Sequence, residues 1–243
     1  MGDSMAIEVF NRYEVKYLLN QTQYENILSA VPEYMTSDQY NKNNTFYSIS
    51  NLYLDSNEDY FIRRSIEKPV FKEKLRLRAY GTPALDDTVY LEIKKKFKGL
   101  VNKRRTPFIL REAYDFLDNG TMPSESKLNG QVFREIEYAM KLFNSYPKVY
   151  ISYDRLAFFA KNNNDFRMTI DTNIQTRRDD LRLENGMYGE QLLPPGTYLM
   201  EAKAAGAFPI WFCHLLSKNK IYSTSFSKYG EEYKKFYKEH KYA

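Results

Sequence analysis

Charged and apolar residues alternate along several short segments of the chain. Residues 10–19 read FNRYEVKYLL and residues 74–80 read KLRLRAY, so every second side chain in the middle of each segment is charged. A period of two predicts a strand with one charged face and one apolar face. The predicted strands are 10–19, a segment around Ile49, Leu52 and Leu54, 74–80, 88–96, 101–106, 148–159, 166–172 and 198–203.

Segments with apolar residues at helical spacing separate these strands. Residues 131–143 show this spacing most clearly. Ser56 to Asp59 are interpreted as a capping box that starts a short helix containing Arg63 and Arg64. The other predicted helices are 20–31, 109–118, 209–216 and 227–239. No repeat or linker marks a boundary, so we predict one α+β domain over residues 8–243, after a disordered leader or cloning remnant at residues 1–7.

The charged strand faces have two interpretations. An antiparallel sheet commonly turns a polar face to water. Here, however, Arg and Lys recur at positions i and i+2 on separate strands, as in Arg76 and Arg78, and a solvated face needs no such repetition. The alternative is a closed sheet with a basic lumen and an apolar outside covered by helices. Such a lumen needs a polyanion, because its like charges repel and lose hydration.

Side-chain spacing makes phosphate the anion that suits these strands best. Two arginines at i and i+2 lie about 6.6 Å apart along a strand, which matches neighbouring phosphates of an extended chain. The planar guanidinium donates two parallel hydrogen bonds to phosphate. The sequence has neither GxxxxGK[ST] nor GxGxxG, so side chains rather than a glycine-rich loop must bind the phosphate.

Composition narrows the function further. The 243 residues have a net charge of +5, which favours an anionic partner without identifying it. One cysteine and two histidines exclude Cys-based zinc or iron–sulfur sites and an HExxH site. The sequence contains neither a run of about 18 apolar residues nor a signal region. We therefore predict no membrane span in this chain and a cytoplasmic location.

Seven segments occur in an order that is specific to one family. They are RYEVKYLL, NLYLD, KLRLRAYG, VYLEIKKK, YDRLAF with FRMTIDT, YLMEAKAAGAFPIW and SFSKY. Together they cover roughly residues 8–235 and resemble the VTC domain, the catalytic domain of polyphosphate polymerases in the triphosphate tunnel metalloenzyme superfamily.

The resemblance implies a fold and a reaction. The fold is an eight-stranded antiparallel β-barrel with helices packed on its outside and a basic interior that binds triphosphate and polyphosphate. The reaction transfers the γ-phosphate of ATP to a growing polyphosphate chain or a pyrophosphate primer and releases ADP. The implied cofactor is Mn²⁺ or Mg²⁺, and no specific nucleic acid is expected as a partner.

The resemblance also assigns site residues by position. The catalytic cations are Lys16, Arg76, Arg78, Lys94, Arg155 and Arg167, and the metal ligand is Glu201. Further phosphate-binding residues are Lys203, Ser227 and Lys228, together with Arg63 or Arg64 and Lys103 or Arg105. Glu14, Glu92 and Asp171 are expected to orient these cations, and the last helix is expected to close one end of the tunnel.

Several alternatives stay open at this stage. Some family members have a lysine where this chain has Ser225, three residues before Lys228, and the loss favours a hydrolase of tripolyphosphate or nucleoside triphosphates in the same tunnel. A binding module for polyphosphate or single-stranded nucleic acid would use the same basic and aromatic strands. Glu201 would, in the simplest interpretation, pair with Lys203, and Ser227 would be an ordinary helix cap.

Overall fold

The computed structural model describes residues 13–41, 45–98, 100–124, 128–162 and 165–240. The predicted leader, residues 1–7, lies outside the described residues. The strands are β1 (Tyr13–Leu19), β2 (Met35–Ser37), β3 (Tyr47–Asp55), β4 (Phe71–Tyr80), β5 (Thr88–Phe97), β6 (Leu100–Ile109), β7 (Tyr146–Ala160), β8 (Arg167–Arg177), β9 (Glu190–Gln191), β10 (Tyr198–Ala204) and β11 (Ser223–Thr224). The helices are α1 (Gln21–Tyr34), α2 (Tyr60–Ile66), α3 (Leu110–Asn119), α4 (Gly130–Phe143), α5 (Ile210–Lys218) and α6 (Lys228–His240).

The described strands form one antiparallel sheet in the order β11-β1-β10-β8-β7-β3-β4-β5-β6, with β2 added to β7 and β9 to β8. Eight of these strands have seven or more residues, and β2, β9 and β11 have two or three. The α+β class and the eight antiparallel tunnel strands are therefore confirmed. Closure by hydrogen bonds is not: the strand order of the described residues runs from β11 to β6, and these two edges are not paired. The enclosure instead comes from side chains, since Lys94 of β5 reaches Glu14 of β1 with 3.2 Å between nitrogen and oxygen.

Helices cover the apolar outer face of the sheet in two places. Side chains of α3 and α4, such as Phe116 and Ile136, pack on Leu77 and Leu91 of the β4–β5 hairpin. Side chains of α1 and α5, such as Phe212, pack on β1, β7, β8 and β10. Burying the apolar face of each strand in this way directs the alternate, charged positions to the inner face of the curved sheet.

Helices α2 and α6 pack on that inner face. Ile62 of α2 and Tyr229 of α6 lie in one buried cluster with Ile49 of β3, Ile151 of β7 and Leu199 of β10. The last helix is thus a packing element, as expected, and it fills part of the space that the sheet surrounds. Its first turn brings Lys228 beside the inner-face carboxylates.

The start of α2 differs from the predicted capping box. Asp59, the residue before the helix, has a left-handed backbone and makes no side-chain cap. The buried carboxylate of Asp55 accepts hydrogen bonds from the Phe61 and Ile62 amides instead, at 2.8 and 3.0 Å, and Ser56 Oγ accepts from the Tyr60 amide. An acid at the end of β3 therefore satisfies the free amides of the helix.

Candidate active site on the inner face of the sheet

The inner face gathers charged side chains from seven strands and from α6. Strands β1, β4, β5 and β10 each contribute two residues that lie two positions apart, because the positions between them point to the outer core. The described ion pairs on this face involve four carboxylates, Glu14, Glu92, Asp171 and Glu201, and eight cations, Lys16, Arg76, Arg78, Lys94, Lys103, Arg155, Lys203 and Lys228. We call these twelve residues the lumen group.

Glu92 holds the cations of β4 and β6. The Arg76 Nε and Nη2 atoms both lie 2.7 Å from Glu92 Oε2, and Lys103 Nζ contacts the other oxygen. The Arg78 Nε atom lies 3.8 Å from the same carboxylate. Burial would raise the pKa of Glu92, but Arg78, Arg76 and Lys103 outweigh it and hold that pKa well below its ordinary value. Glu92 is therefore a buried anion that orients cations, as its position in the sequence predicted.

Glu14 and Glu201 form a second centre with three lysines. Lys16 Nζ lies 3.6 Å from Glu14 and 3.2 Å from Glu201. Lys203 Nζ lies 3.0 Å from Glu201, which is the simple pairing considered from the sequence, and Lys94 Nζ lies 3.2 Å from Glu14. Burial opposes ionisation of Glu201, but Lys16, Lys203 and other neighbouring cations lower its pKa well below the ordinary value. Both acids are thus ionised at neutral pH.

Asp171 is the third centre. It is fully buried, and its two oxygens accept from Arg155 Nε and Nη2 at 2.6 and 2.8 Å in a bidentate pair. Lys228 of α6 also contacts Asp171 and lies 3.8 Å from Glu201. The N-terminal residue of α6 is in this way fixed between two of the carboxylate centres.

The Tyr153 hydroxyl joins these centres. It accepts a hydrogen bond from Arg78 Nη2 at 2.9 Å, while Arg155 and Lys228 lie over its ring at 5.0 and 4.3 Å from the centroid. Burial raises the pKa of Tyr153, but Arg78, Arg155 and Lys228 lower it more, to about 8. Sequence reasoning missed this residue, although it lies two positions before Arg155 on the same strand face.

The lumen group has twice as many cations as carboxylates. Each carboxylate is shared by two or three cations, so the group has a net positive charge at neutral pH. On a strand face open to solvent, such charges would be fully hydrated. Here Glu92, Asp171, Glu201 and Lys228 are buried. The other lumen cations, apart from the buried Arg78, are partly buried around these carboxylates, and their excess is stabilised best by a bound polyanion.

Lys74, the first residue of the alternating segment 74–80, is a further cation on the inner face of β4. Its Nζ donates to Ser227 Oγ at 2.9 Å, and Ser227 also caps α6 by accepting from the Gly230 amide. Burial, together with Lys16 and Lys94, lowers the pKa of Lys74 to about 7. Burial also lowers the pKa of Lys103 to about 7, although Glu92 opposes it. Both lysines lose much of their charge just above neutral pH.

Because the pKa values of Lys74 and Lys103 are near 7, we predict that the protein takes up protons when a polyanion binds. At pH 8.5 both amines are largely neutral in the free protein, and a bound anion raises their pKa values towards 10.5. We expect tripolyphosphate to bind with uptake of roughly two protons at pH 8.5 and close to none at pH 6. Calorimetry in buffers of different ionisation enthalpy measures this number. Lys74→Met should reduce it by roughly one, and no uptake by the unchanged protein at pH 8.5 would contradict the prediction.

The structure places the remaining predicted residues outside the lumen group. Arg105 shares the inner face of β6 with Lys103 and lies over the Tyr90 ring, 4.6 Å from its centroid, so both candidates on β6 face inward. Arg167 stacks on Phe159 at 4.3 Å. Arg63 and Arg64 are exposed on α2 and take part in none of the ion pairs that define the lumen group.

The carboxylates of the lumen group determine whether a divalent metal ion can bind there. Among the described residues no group of three or more His, Cys, Asp or Glu side chains is arranged to hold a metal ion. Glu14 and Glu201 nevertheless both contact the Lys16 ammonium. One or two carboxylates completed by phosphate oxygens are a donor set that Mg²⁺ takes, and oxygen ligands also suit Mn²⁺. The two acids therefore fit a divalent ion that binds together with a phosphorylated substrate.

The profile of one protein family matches nearly the whole chain. The profile of the VTC domain matches residues 11–237. The chain belongs to the VTC domain family. The resemblance drawn from the seven sequence segments is confirmed, and with it the place of this VTC domain among the triphosphate tunnel metalloenzymes, which use divalent metal ions.

Two solved structures are similar to this VTC domain in fold. A "putative adenylate cyclase" from Bacillus halodurans is 13% identical with a TM-score of 0.54, over 90% of this chain and 94% of that one. A "putative adenylyl cyclase" from Hippeastrum, described as revealing a dominant triphosphatase activity, is 15% identical with a TM-score of 0.53, over 90% and 93%. At such identities the likeness shows the fold alone. No curated protein matches the chain.

The family and the geometry of the lumen group together indicate the kind of substrate that the protein handles. This VTC domain is a tunnel enzyme that handles triphosphate, with the lumen group on the inner face of its sheet. None of the helices in the described part of the chain has the length and apolar character needed to cross a membrane.

Proposed function

We propose that this VTC domain is a metal-dependent polyphosphate polymerase that transfers the γ-phosphate of ATP to an inorganic polyphosphate chain and releases ADP. The observation that supports it most is the twofold excess of cations in the lumen group. The inner face of β4 continues that excess as a row of four cations, Lys72, Lys74, Arg76 and Arg78. These lie about 6.6 Å apart, so the row offers positions to several consecutive phosphates.

Each residue has a role in this proposal. Arg76, Arg78, Lys94, Arg155 and Arg167 hold the triphosphate, with Lys103, Arg105, Lys203, Ser227 and Lys228 as further phosphate-binding residues. Lys16, between Glu14 and Glu201, acts at the phosphate that enters or leaves. Glu201 would hold the divalent ion with Glu14, and the ion would offset phosphate charge. The carboxylates Glu92 and Asp171 fix the guanidinium groups before substrate binds, so little reorganisation is needed.

The transfer needs no protein nucleophile. A terminal oxygen of the acceptor chain forms a bond to the γ-phosphorus, the bond from that phosphorus to the β–γ bridging oxygen breaks, and ADP leaves with the bridging oxygen. Phosphoryl transfer depends mainly on alignment and charge stabilisation. The guanidinium groups of Arg76 on β4 and Arg155 on β7, which Glu92 and Asp171 already orient, supply both.

A direct assay tests the proposal. The purified protein is incubated with ATP, Mn²⁺ or Mg²⁺ and a pyrophosphate primer, and the products are followed by ³¹P NMR and gel electrophoresis. We expect ADP to appear together with phosphate chains longer than the primer. ATP consumption without any chain longer than the primer would contradict polymerase activity.

A triphosphatase in the same lumen is the second candidate. Ser225, where some members have a lysine, is exposed just before α6 and follows Thr224, the register partner of Lys16, so this chain has one cation fewer near the lumen to hold a phosphate acceptor. Water would then take the place of the acceptor chain. The same assay separates the two, since a triphosphatase releases orthophosphate from ATP or tripolyphosphate and extends no primer. A binding module would do neither and would bind oligonucleotides with a strong dependence on salt.

A further inference from the structure

Four tyrosines cluster at one end of the lumen group. On the inner strand faces, Tyr80 lies two positions after Arg78 on β4, and Tyr90 lies two positions before Glu92 on β5, opposite Arg78. Tyr47 lies beside Tyr80 on β3. Tyr40, from the loop after β2, completes the set. The ring centroids of Tyr80 lie 6.0 Å from Tyr90, 6.3 Å from Tyr47 and 6.5 Å from Tyr40. We call these four residues the tyrosine mouth.

The tyrosine mouth is continuous with the cations. Arg105 lies over the Tyr90 ring at 4.6 Å, two positions beyond Lys103 on the inner face of β6. Tyr80 follows Arg78 at a spacing of about 6.6 Å along β4. An anion held by Arg78 therefore has aromatic rings and a guanidinium group immediately beside it.

Tyr40 and Tyr80 of the tyrosine mouth do not stack directly on each other. Tyr40 and Tyr80 are nearly parallel, with 14° between their planes, but their centroids are 6.5 Å apart. The stacked pair Tyr24 and Tyr198 on the outer face is only 3.8 Å apart. Tyr40 is 66% exposed and Tyr80 is 49% exposed. If the Tyr40 and Tyr80 rings packed on each other, their faces would be buried. They are exposed, so the ring faces are available for a planar ligand.

We propose that the tyrosine mouth binds the base of the nucleoside triphosphate donor by stacking, and thereby sets the end at which the nucleotide enters. The inference rests on the proposed function, in which a nucleotide supplies the phosphate. Stacking on aromatic side chains accepts any base, because every base has a π face. The phosphates then extend from Arg78 along β4 towards Arg76 and Lys74, with the ribose between Arg78 and Tyr80.

The opposite end of the same two strands supports this direction. Lys72 of β4 and Lys96 of β5 are register partners on the inner face, four positions before Arg76 and four after Glu92. Ammonium groups there suit further phosphates. The two ends of the lumen therefore differ, with tyrosines at one end and lysines at the other. In this arrangement the growing chain leaves at the lysine end.

Binding measurements on matched variants test the tyrosine mouth. A non-hydrolysable ATP analogue and tripolyphosphate are titrated by calorimetry into the unchanged protein, Tyr80→Ala, Tyr80→Phe and Tyr138→Ala, the last removing a 68% exposed tyrosine of α4. We expect Tyr80→Ala to weaken analogue binding about tenfold or more and to leave tripolyphosphate binding within about twofold. Tyr80→Phe, which keeps the ring, and Tyr138→Ala should bind both ligands as the unchanged protein does.

Other outcomes separate the two proposals. Equal effects of Tyr80→Ala on both ligands, or no effect on either, would overturn the tyrosine mouth and leave polyphosphate synthesis standing. Tyrosine-dependent analogue binding in a protein that extends no primer would leave the mouth standing and refute the polymerase. Absence of binding of either ligand to the unchanged protein would overturn both.

Discussion

Glu201→Gln is expected to lower the rate of the metal-dependent reaction by about 100- to 1,000-fold while tripolyphosphate still binds. The substitution removes one negative charge from beside Lys16, Lys203 and Lys228 and preserves the size of the side chain. The local positive charge therefore rises, which favours anion binding, whereas the proposed ligand of the divalent ion is lost. Steady-state rates over a range of Mn²⁺ and Mg²⁺ concentrations, with calorimetry of tripolyphosphate binding, measure both quantities.

A matched control exists on the outer face. Glu135 of α4 also pairs with two cations, Lys95 at 2.7 Å and Arg104 at 2.9 Å, but these face the helices rather than the lumen. Glu135→Gln should leave rate and binding unchanged. Because breaking a buried ion pair can cost about 3–5 kcal/mol, circular dichroism must show that the Glu201 variant is folded. A folded Glu201→Gln protein with an unchanged rate would refute the proposed metal ligand.

Asp55→Ala is expected to destabilise the domain by about 3–5 kcal/mol. The Asp55 carboxylate accepts from the Phe61 and Ile62 amides at 2.8 and 3.0 Å and from the Tyr229 hydroxyl at 2.9 Å. It therefore ties both inner-face helices, α2 and α6, to the end of β3. The variant leaves these buried donors without a partner, which costs more than the loss of the bonds themselves.

Urea unfolding followed by circular dichroism measures this loss. Tyr229→Phe is the matched variant, since it removes a single hydroxyl from the same carboxylate and should cost about 1 kcal/mol. An Asp55→Ala loss no larger than that of Tyr229→Phe would show that α2 and α6 are held by their apolar contacts alone.

Strand positions were predictable because they depend on a local pattern. Alternation in residues 74–80 and 88–96 identified a hairpin whose register the structure shows as Arg76 opposite Glu92. The same alternation placed Lys16 and Glu201 on charged faces, and the ordered segments identified the family, which in turn assigned Arg155 to the site. One face of each strand is buried, so a shift by one residue would expose the core, and the pattern has only one solution.

Features that depend on distant contacts were not predictable. Asp55 caps α2 from a strand end, so the local Ser56 to Asp59 pattern gave the wrong cap. Either Arg63 or Arg64 was expected in the lumen, but α2 leaves both exposed. The low pKa of Lys74 arises from burial beside Lys16 and Lys94, which lie on other strands. Spacing along one chain segment contains no information on these neighbours.

The unpaired edges of β6 and β11 leave the wall of the described sheet with a lengthwise seam. Side chains such as Lys94 and Glu14 bridge the lumen, and a bound polyanion competes for the same ammonium groups. The lumen can widen at the unpaired edges without breaking backbone hydrogen bonds between strands. In the proposed polymerase, the lumen would thus widen around a passing phosphate chain while the sheet keeps its backbone hydrogen bonds.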